Sequence, residues 1–471
     1  MTVMIAMAGM LLTGNVTFAS FAIGTMIVVA VAMVGSVTFL PALLATLGDR
    51  IDKGRLPWPG RGRRSHRRAA RTTAWSRLVA PVLRHPRSGA LASLGVLAAL
   101  ALPALGLHTV MPGVRSVPAS LPVMQTYARI QAAFPGDPAP AMVVVQAPDV
   151  DAPAVRAAIG ALETAAGRTG QMGGPMSVSD SRAGTAAVLQ LSLAGNGTDQ
   201  TSYRALATLR GRLIPDTLGH VPGVRVNVTG TTAESLDFNS LLSARTPLVF
   251  AFVLGLAFLL LLVTFRSVVI PLTAIALNLV SVAAAYGALV LVFQHSWAQG
   301  LLGFQSIGGV TSWLPLFMFV ILFGLSMDYH VFILSRIKEA HDGGMSTREA
   351  IAHGIGATGG VVTSAAAVMV AVFAIFATLS EVELKQFGVG LAVAVAVDAT
   401  IVRGVLLPAT MTMLGEANWY LPSPQAWWLE RLAPRAGQGS VRLEQHQHER
   451  LRTELQDESA GPPAGRTAPA L

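Results

Sequence analysis

Apolar residues run along this chain in long unbroken blocks rather than in alternation, and the blocks have the length of a membrane crossing. A hydrocarbon core about 30 Å thick takes roughly 20 helical residues to span. Seven stretches reach that length with few or no charges: Ala19 to Leu47, Gly89 to Val110, Thr246 to Phe265, Val268 to Phe293, Trp313 to Ser335, Gly356 to Leu379 and Gln386 to Leu414. An eighth, Thr2 to Leu12, is short for a span and has no basic residue ahead of it, so it is a poor signal peptide and reads as a spanning helix without its beginning. Between Met111 and Arg245 the pattern changes. It predicts a strand at Met142 to Gln146, a helix from Asp151 to Gly167, and a hairpin of Met176 to Asp180 and Ala186 to Leu193 turning around Arg182 and Gly184. A helix from Thr201 to Leu213 and a strand at Val224 to Thr229 complete the order β-α-β-β-α-β, the split ferredoxin-like unit. Roughly 130 residues suffice for such a unit to hold its own core.

Composition agrees with the blocks: 52% of residues are hydrophobic, 13% are charged and the mean hydropathy is +0.56, which places the chain among integral membrane proteins. Charge adds orientation, because cytoplasmic loops collect Lys and Arg. Twelve basic residues lie between Asp49 and Ser88, among them Arg63, Arg64, Arg67, Arg68 and Arg71, against only Asp49 and Asp52. That loop is expected inside and accounts for most of the net charge of +9. Alternation from there puts Arg266, the loop of Arg336, Lys338 and Arg348, and the tail after Gly415 inside, and puts the uncharged 294–312 loop outside. The segment from 111 to 245 then falls outside. The fold class that follows is an α-helical polytopic membrane protein with an inserted α+β (ferredoxin-like, β-α-β-β-α-β) extracytoplasmic domain. The basic loop sits between two spans and lacks interleaved aromatics, so anionic membrane lipids, not nucleic acid, are its expected partners.

The chain also repeats itself. LPALLATLGDR at 40–50 matches LPATMTMLGEA at 407–417 at an offset of 367, and FAIGTMIVVAVAM at 21–33 pairs with FGVGLAVAVAVDA at 387–399 after a one-residue slip. The duplicated unit is one helix, an external domain and five helices. One full copy runs from Gly89 to Gly415, preceded by the last one and a half helices of another, which points to a truncated chain.

GLSMDYHVFILSRIKEAHDGGMSTREAIAHG from Gly324, VVTSAAAVMVAVFA from Val361, and KQFGVGLAVAVAVDATIVRGVLLPATMTMLG from Lys385 together resemble the C-terminal half of the MMPL family, within the resistance-nodulation-division superfamily. FRSVVIPLTAIALNLVSVAAAYG from Phe265 is similar to that family's preceding helices. The resemblance implies half of a twelve-helix transporter in which proton flow drives lipids or hydrophobic compounds across the inner membrane of a bacterial cell. It assigns the pair Asp328 and Tyr329 to the proton relay. The chain departs from the family in lacking the first external domain, the first helices and the first half's own Asp-Tyr pair. The divisions implied are 1–47, the end of a first transmembrane repeat; 48–88, a basic cytoplasmic loop; 89–110, a transmembrane helix; 111–245, an extracytoplasmic porter-like domain; 246–415, a five-helix bundle; and 416–471, a cytoplasmic, largely flexible tail.

The residues themselves support that chemistry. Asp328 lies eight residues before Arg336, about 12 Å along a helix and too deep to snorkel. An ionised carboxylate there costs about 2.5 to 3.5 kcal/mol, a cost that marks function by default. The bland alternative is an acid hydrogen-bonded to neighbouring helices. Asp398 is the expected second relay acid, facing the bundle interior near Asp328. Arg403 is expected either to join the acids or to snorkel to the interface. Five residues apart, Asp398 and Arg403 diverge by about 140° on an ideal helix and are expected not to pair. Thr363 and Ser364, in the small-residue run GATGGVVTSAAA, either bridge the acids or serve helix packing. His330 is expected to be satisfied locally. Ser346 and Glu349 fit a capping box, and Trp419, Trp427 and Trp428 suit a membrane interface. With no GK[ST] after glycine, no HExxH and no cysteine, no enzyme activity and no cofactor beyond the proton is expected. The competing functional reading is a non-transporting remnant or scaffold. Expected partners are a hydrophobic cargo and a missing N-terminal half, a second copy or a homo-oligomer.

Overall fold

The computed structural model describes residues 2–48, 74–111, 117, 121–133, 140–195 and 197–422. The basic run 49–73 with its expected lipid contacts, Trp427, Trp428 and the tail from 423 lie outside the described residues. Seven helical segments among them are long and apolar enough to cross a membrane: Val16–Leu47, Pro86–Gly106, Thr231–Phe265, Val269–Gln294, Leu314–Asp342, Thr347–Phe376 and Val382–Trp419. These are the seven apolar blocks of the sequence.

The chain starts with α1 (Thr2–Ala8), α2 (Val16–Val37) and α3 (Phe39–Leu47), followed by α4 (Ala74–Arg84) and α5 (Pro86–Ala101). Although too short to span, α1 is fixed in the bundle, with its Ala6 and Met7 and, in the turn after it, Met10 fully enclosed. Asn15 caps α2 by accepting from the Thr17 and Phe18 amides. After α5 come β1 (Thr109–Val110) and α6 (Pro122–Ala133), and then the sheet unit.

The sheet unit runs β2 (Ala141–Gln146), α7 (Pro153–Arg168), β3 (Met172–Asp180), β4 (Ala186–Leu193), α8 (Gln200–Thr208), the single turn α9 (Ile214–Asp216) and β5 (Arg225–Thr229). The sheet is antiparallel in the order β3-β4-β2-β5. Period-2 alternation sends Val143, Val145, Leu189 and Leu191 to one face, where Ile159, Leu162, Leu206 and Leu209 close a core separate from that of the membrane helices. Two polar braces join this unit to the next helix, α10 (Thr231–Phe265). Arg210 grips Asp237 with both terminal nitrogens at 2.6 and 2.8 Å and also donates to Val228 O at 2.7 Å. The carboxylate beside it raises the pKa of the Arg210 guanidinium further. Tyr203 Oη meets Ser235 Oγ at 2.6 Å.

The remaining elements are α11 (Val269–Leu289), the short α12 (Gln299–Leu302), β6 (Val310–Thr311), α13 (Leu314–Asp342), α14 (Thr347–Phe376), α15 (Val382–Val397), a π-helical stretch Asp398–Leu406, and α16 (Leu407–Leu414). The capping box of Ser346 and Glu349 opens α14 as its sequence pattern indicates. Close helix contact depends on small residues where backbones meet. A Cβ on Gly287 of α11 would lie 1.7 Å from Leu100 O of α5. Gly287→Ala is therefore expected to force these helices apart and to cost about 1 to 3 kcal/mol, the usual range for overpacking. A melting temperature unchanged in detergent would contradict that.

Residues 415–420 clasp the end of the bundle that carries Arg336 and Arg348. Ser267 Oγ donates to Asn418 O at 2.5 Å and the Val268 N–H to Tyr420 O at 3.1 Å. Thr347 Oγ1 donates to Glu416 at 2.6 Å and Trp419 Nε1 to Thr347 Oγ1 at 3.1 Å. The Trp419 ring, for which an interfacial place was expected, stacks on His341 with centroids 4.6 Å apart.

Candidate functional site

Asp398 and Arg403 form a buried ion pair, with side chains only 8% and 3% exposed. The expectation that residues five apart would diverge assumed ideal α-helical winding. From Asp398 to Leu406 the backbone is π-helical instead. Its hydrogen bonds run between residues five apart, so those residues return to the same face, and this winding recurs at functional sites. Arg403 accordingly turns back into the bundle and does not snorkel. Asp398 lies eleven residues beyond Phe387, where the apolar run of α15 begins. That is about 16 Å of helix, near the middle of a hydrocarbon core roughly 30 Å thick.

Polar groups from two other helices meet the pair. Ser326 Oγ of α13 is 2.8 Å from Asp398 Oδ2 and also contacts Asn278 Oδ1 of α11, so its single proton can serve either oxygen. Arg403 Nη2 donates to Ser326 O at 3.1 Å and reaches its Oγ at the same distance. The guanidinium lies 4.6 Å from the centroid of the Tyr329 ring, a cation–π contact. The Tyr329 hydroxyl meets Met369 Sδ of α14 at 3.1 Å. A cavity of about 20 Å³ is bounded by Asn278, Ser281, Ser326, Tyr329, Asp398 and Arg403, which is room for about one water. Asp398 Oδ1, Arg403 Nε, Asn278 Nδ2 and His330 Nε2 are buried without a hydrogen-bond partner among the described residues. Charges so placed cost several kcal/mol to desolvate, so the pair is poor as a stabilising device.

Asp328 is not beside Asp398. Ser326, Tyr329 and His330 follow the i, i+3, i+4 rule and share the face of α13 toward the pair, whereas Asp328, two residues from Ser326, is about 200° away. It stands exposed on the bundle surface, where Thr2 Oγ1 of α1 donates to its Oδ1 and also reaches Gly324 O at 3.1 Å. The expected meeting of the two acids is corrected accordingly. Thr363 and Ser364 are also elsewhere. Thr363 Oγ1 accepts from Trp75 Nε1 at 2.7 Å and donates to Gly359 O at 2.5 Å, and Ser364 Oγ donates to Val361 O at 2.9 Å. His330 is locally bonded as expected through Nδ1, 3.1 Å from Ser326 O. Its full burial with a second, unpartnered nitrogen was not expected. Sequence reasoning missed Asn278 and Ser326. Their signal is a polar side chain inside an apolar span, as in PLTAIALNLVSVAAAYG.

The chain matches a family model described as MMPL family over residues 1–88 and 115–438. It is 35% identical over 452 residues to the mycolic acid-containing lipids exporter MmpL11 of Mycolicibacterium smegmatis, covering 92% of this chain and 45% of that protein. To the heme uptake protein MmpL11 of Mycobacterium tuberculosis it is 37% identical over 444 residues, covering 92% and 44%. To the trehalose monomycolate exporter MmpL3 of the same species it is 35% identical over 221 residues, covering 47% and 23%. The chain thus spans about half the length of the MmpL11 proteins it matches.

Proposed function

This chain belongs to the MMPL family, and we propose from that premise that it works within a proton-driven exporter of lipids or other hydrophobic compounds in the bacterial inner membrane. Its family and the seven membrane-length apolar helices among its described residues make it a multi-pass membrane protein of transporter kind. One observation carries the reading: an ion pair, Asp398 and Arg403, buried at mid-membrane depth among hydroxyl and amide groups of two further helices. A proton bound at Asp398 Oδ1, the oxygen Arg403 does not hold, cancels the carboxylate charge. Arg403 then faces a neutral acceptor at Oδ2 in place of an anion, beside Ser326 and the Tyr329 ring, so the hold between α13 and the π-helical stretch loosens and the two can shift against each other. Asp328 is the surface acid of this relay, and Tyr329, its neighbour in the chain, holds the guanidinium against its ring. Thr363 and Ser364, engaged with Trp75, Gly359 and Val361, have no part in it.

The β2 to β5 unit is read as a ferredoxin-like extracytoplasmic domain that handles the cargo. Relatives named as exporters of mycolic acid-containing lipids and trehalose monomycolate favour a lipid. Export is carried out with a second helical unit. No residue of Val16–Leu47 beyond Ala22 is buried, and Asp328 faces outward, where a facing unit would cover both. The proton is the only cofactor required. Asp328→Asn is expected to reduce gradient-dependent lipid efflux, from proteoliposomes that hold the chain together with its second helical unit, to background while the chain still inserts. Undiminished efflux rejects the relay role of Asp328.

A further inference from the structure

We infer that Gln386 is a positioning residue that ties the chain leading into the sheet unit to the two helices bearing the ion-pair site. This rests on the proton-coupled reading above. The two-residue strands β1 and β6 pair in parallel, with the Val310 N–H donating to His108 O at 2.8 Å and the Ser312 N–H to Val110 O at 3.1 Å. The opposite edge of β6 is taken up by a side chain. Gln386 Oε1 accepts from the Thr311 N–H at 2.9 Å, and Gln386 Nε2 donates to Gly309 O at 3.1 Å. Its amide therefore satisfies one donor and one acceptor as a third strand would, fully buried. Neighbouring side chains of the same helical turn tie the segment around β6 to the α14–α15 turn. Lys385 Nζ donates to Leu302 O and, at 3.2 Å, to Ala377 O, and Glu383 Oε2 accepts from Trp313 Nε1 at 3.1 Å.

The placement is what gives this strap a role. β1 lies in the chain that runs from α5 toward the sheet unit. β6 immediately precedes α13, and Ser326 lies twelve residues into α13 from Leu314. Gln386 sits in the first turns of α15, and Asp398 lies twelve residues farther on. Each separation is about 18 Å of helix. A relative shift of α13 and α15 on opening of the ion pair therefore reaches β6 from both sides at one level, and β6 passes it to β1. Coupling of this kind requires an element that both sites bias, and among the described residues Gln386 is the one side chain bonded to both main-chain groups on the outer edge of β6.

The test is a distance measurement on the full chain in bilayers. The chain has no cysteine, so spin labels at Arg182→Cys, on the exposed β3–β4 turn, and Leu379→Cys, on the exposed α14–α15 turn, are the only ones. Label separation is measured in alkaline and acidic buffer and in the Asp398→Asn background. The expected result is a shift on acidification that Asp398→Asn reproduces and Gln386→Leu abolishes. Gln386→Glu, which keeps an acceptor for the Thr311 N–H, retains part of it. Should Gln386→Leu fail to insert, Gly309→Ala breaks the strap from the other side, since its Cβ would lie 2.5 Å from Val110 Cγ2 and 2.7 Å from His108 O. A full shift in either strap variant, or no shift in the parent, overturns the role of Gln386. The proton-coupled reading fails separately, if infrared spectra show no protonation of Asp398.

Discussion

Asp398→Asn is expected to insert in the membrane with a lowered melting temperature, because the buried Arg403 charge loses its anion, and to stop lipid efflux driven by a pH gradient, together with the accompanying proton uptake. Asparagine keeps an oxygen that can accept from Arg403 Nη2 and from Ser326 Oγ, but only as a neutral acceptor, so it holds α13 to the π-helical stretch as loosely as the protonated acid does. It cannot change charge. The variant is thus fixed in one electrostatic state, and a cycle that needs two states has no second one to visit. Efflux from proteoliposomes and proton uptake reported by an internal pH dye check this directly. Loss of efflux with proton uptake retained would move the coupling carboxylate away from Asp398.

The largest effect on stability is expected from Arg403→Leu. It removes the cation from a carboxylate that is 8% exposed and leaves that charge buried without compensation. Breaking a buried pair on one side costs about 3 to 5 kcal/mol, whereas replacing both partners by apolar or neutral groups is close to neutral. Arg403→Leu should therefore insert poorly and melt early in detergent, and the double variant Asp398→Asn, Arg403→Leu should recover most of the melting temperature without recovering efflux. Equal melting of the single variant and the wild type would show that the pair is not desolvated.

Much of this was legible in the chain because apolar block length and strand alternation are local properties. The seven spans and the strands at Met142 to Gln146 and Ala186 to Leu193 depend on composition within one segment, and the structure places spans and strands there. The ion pair was hidden for a physical reason. Residues 398 and 403 share a face only in π-helical winding, and nothing in DATIVRGVL announces that departure from ideal periodicity. The separation of Asp328 from Asp398 was in principle readable, since two residues along a helix turn by about 200°. What the spacing could not supply was which face of α13 meets the π-helical stretch. That depends on α1, whose Thr2 takes Asp328, and on Ser326 and Asn278, whose partners lie on other helices. Gln386 had no local signature at all, because its role is defined by main-chain atoms of residues 309 and 311.

The central claim is that a carboxylate held by Arg403 in the middle of the membrane gains and loses a proton. It is tested most directly by infrared difference spectra of the wild-type chain in bilayers between alkaline and acidic buffer, read against Asp398→Asn. The account predicts a protonated-carboxyl band that grows on acidification and is missing from Asp398→Asn. Identical spectra from the two chains at every attainable pH would contradict it.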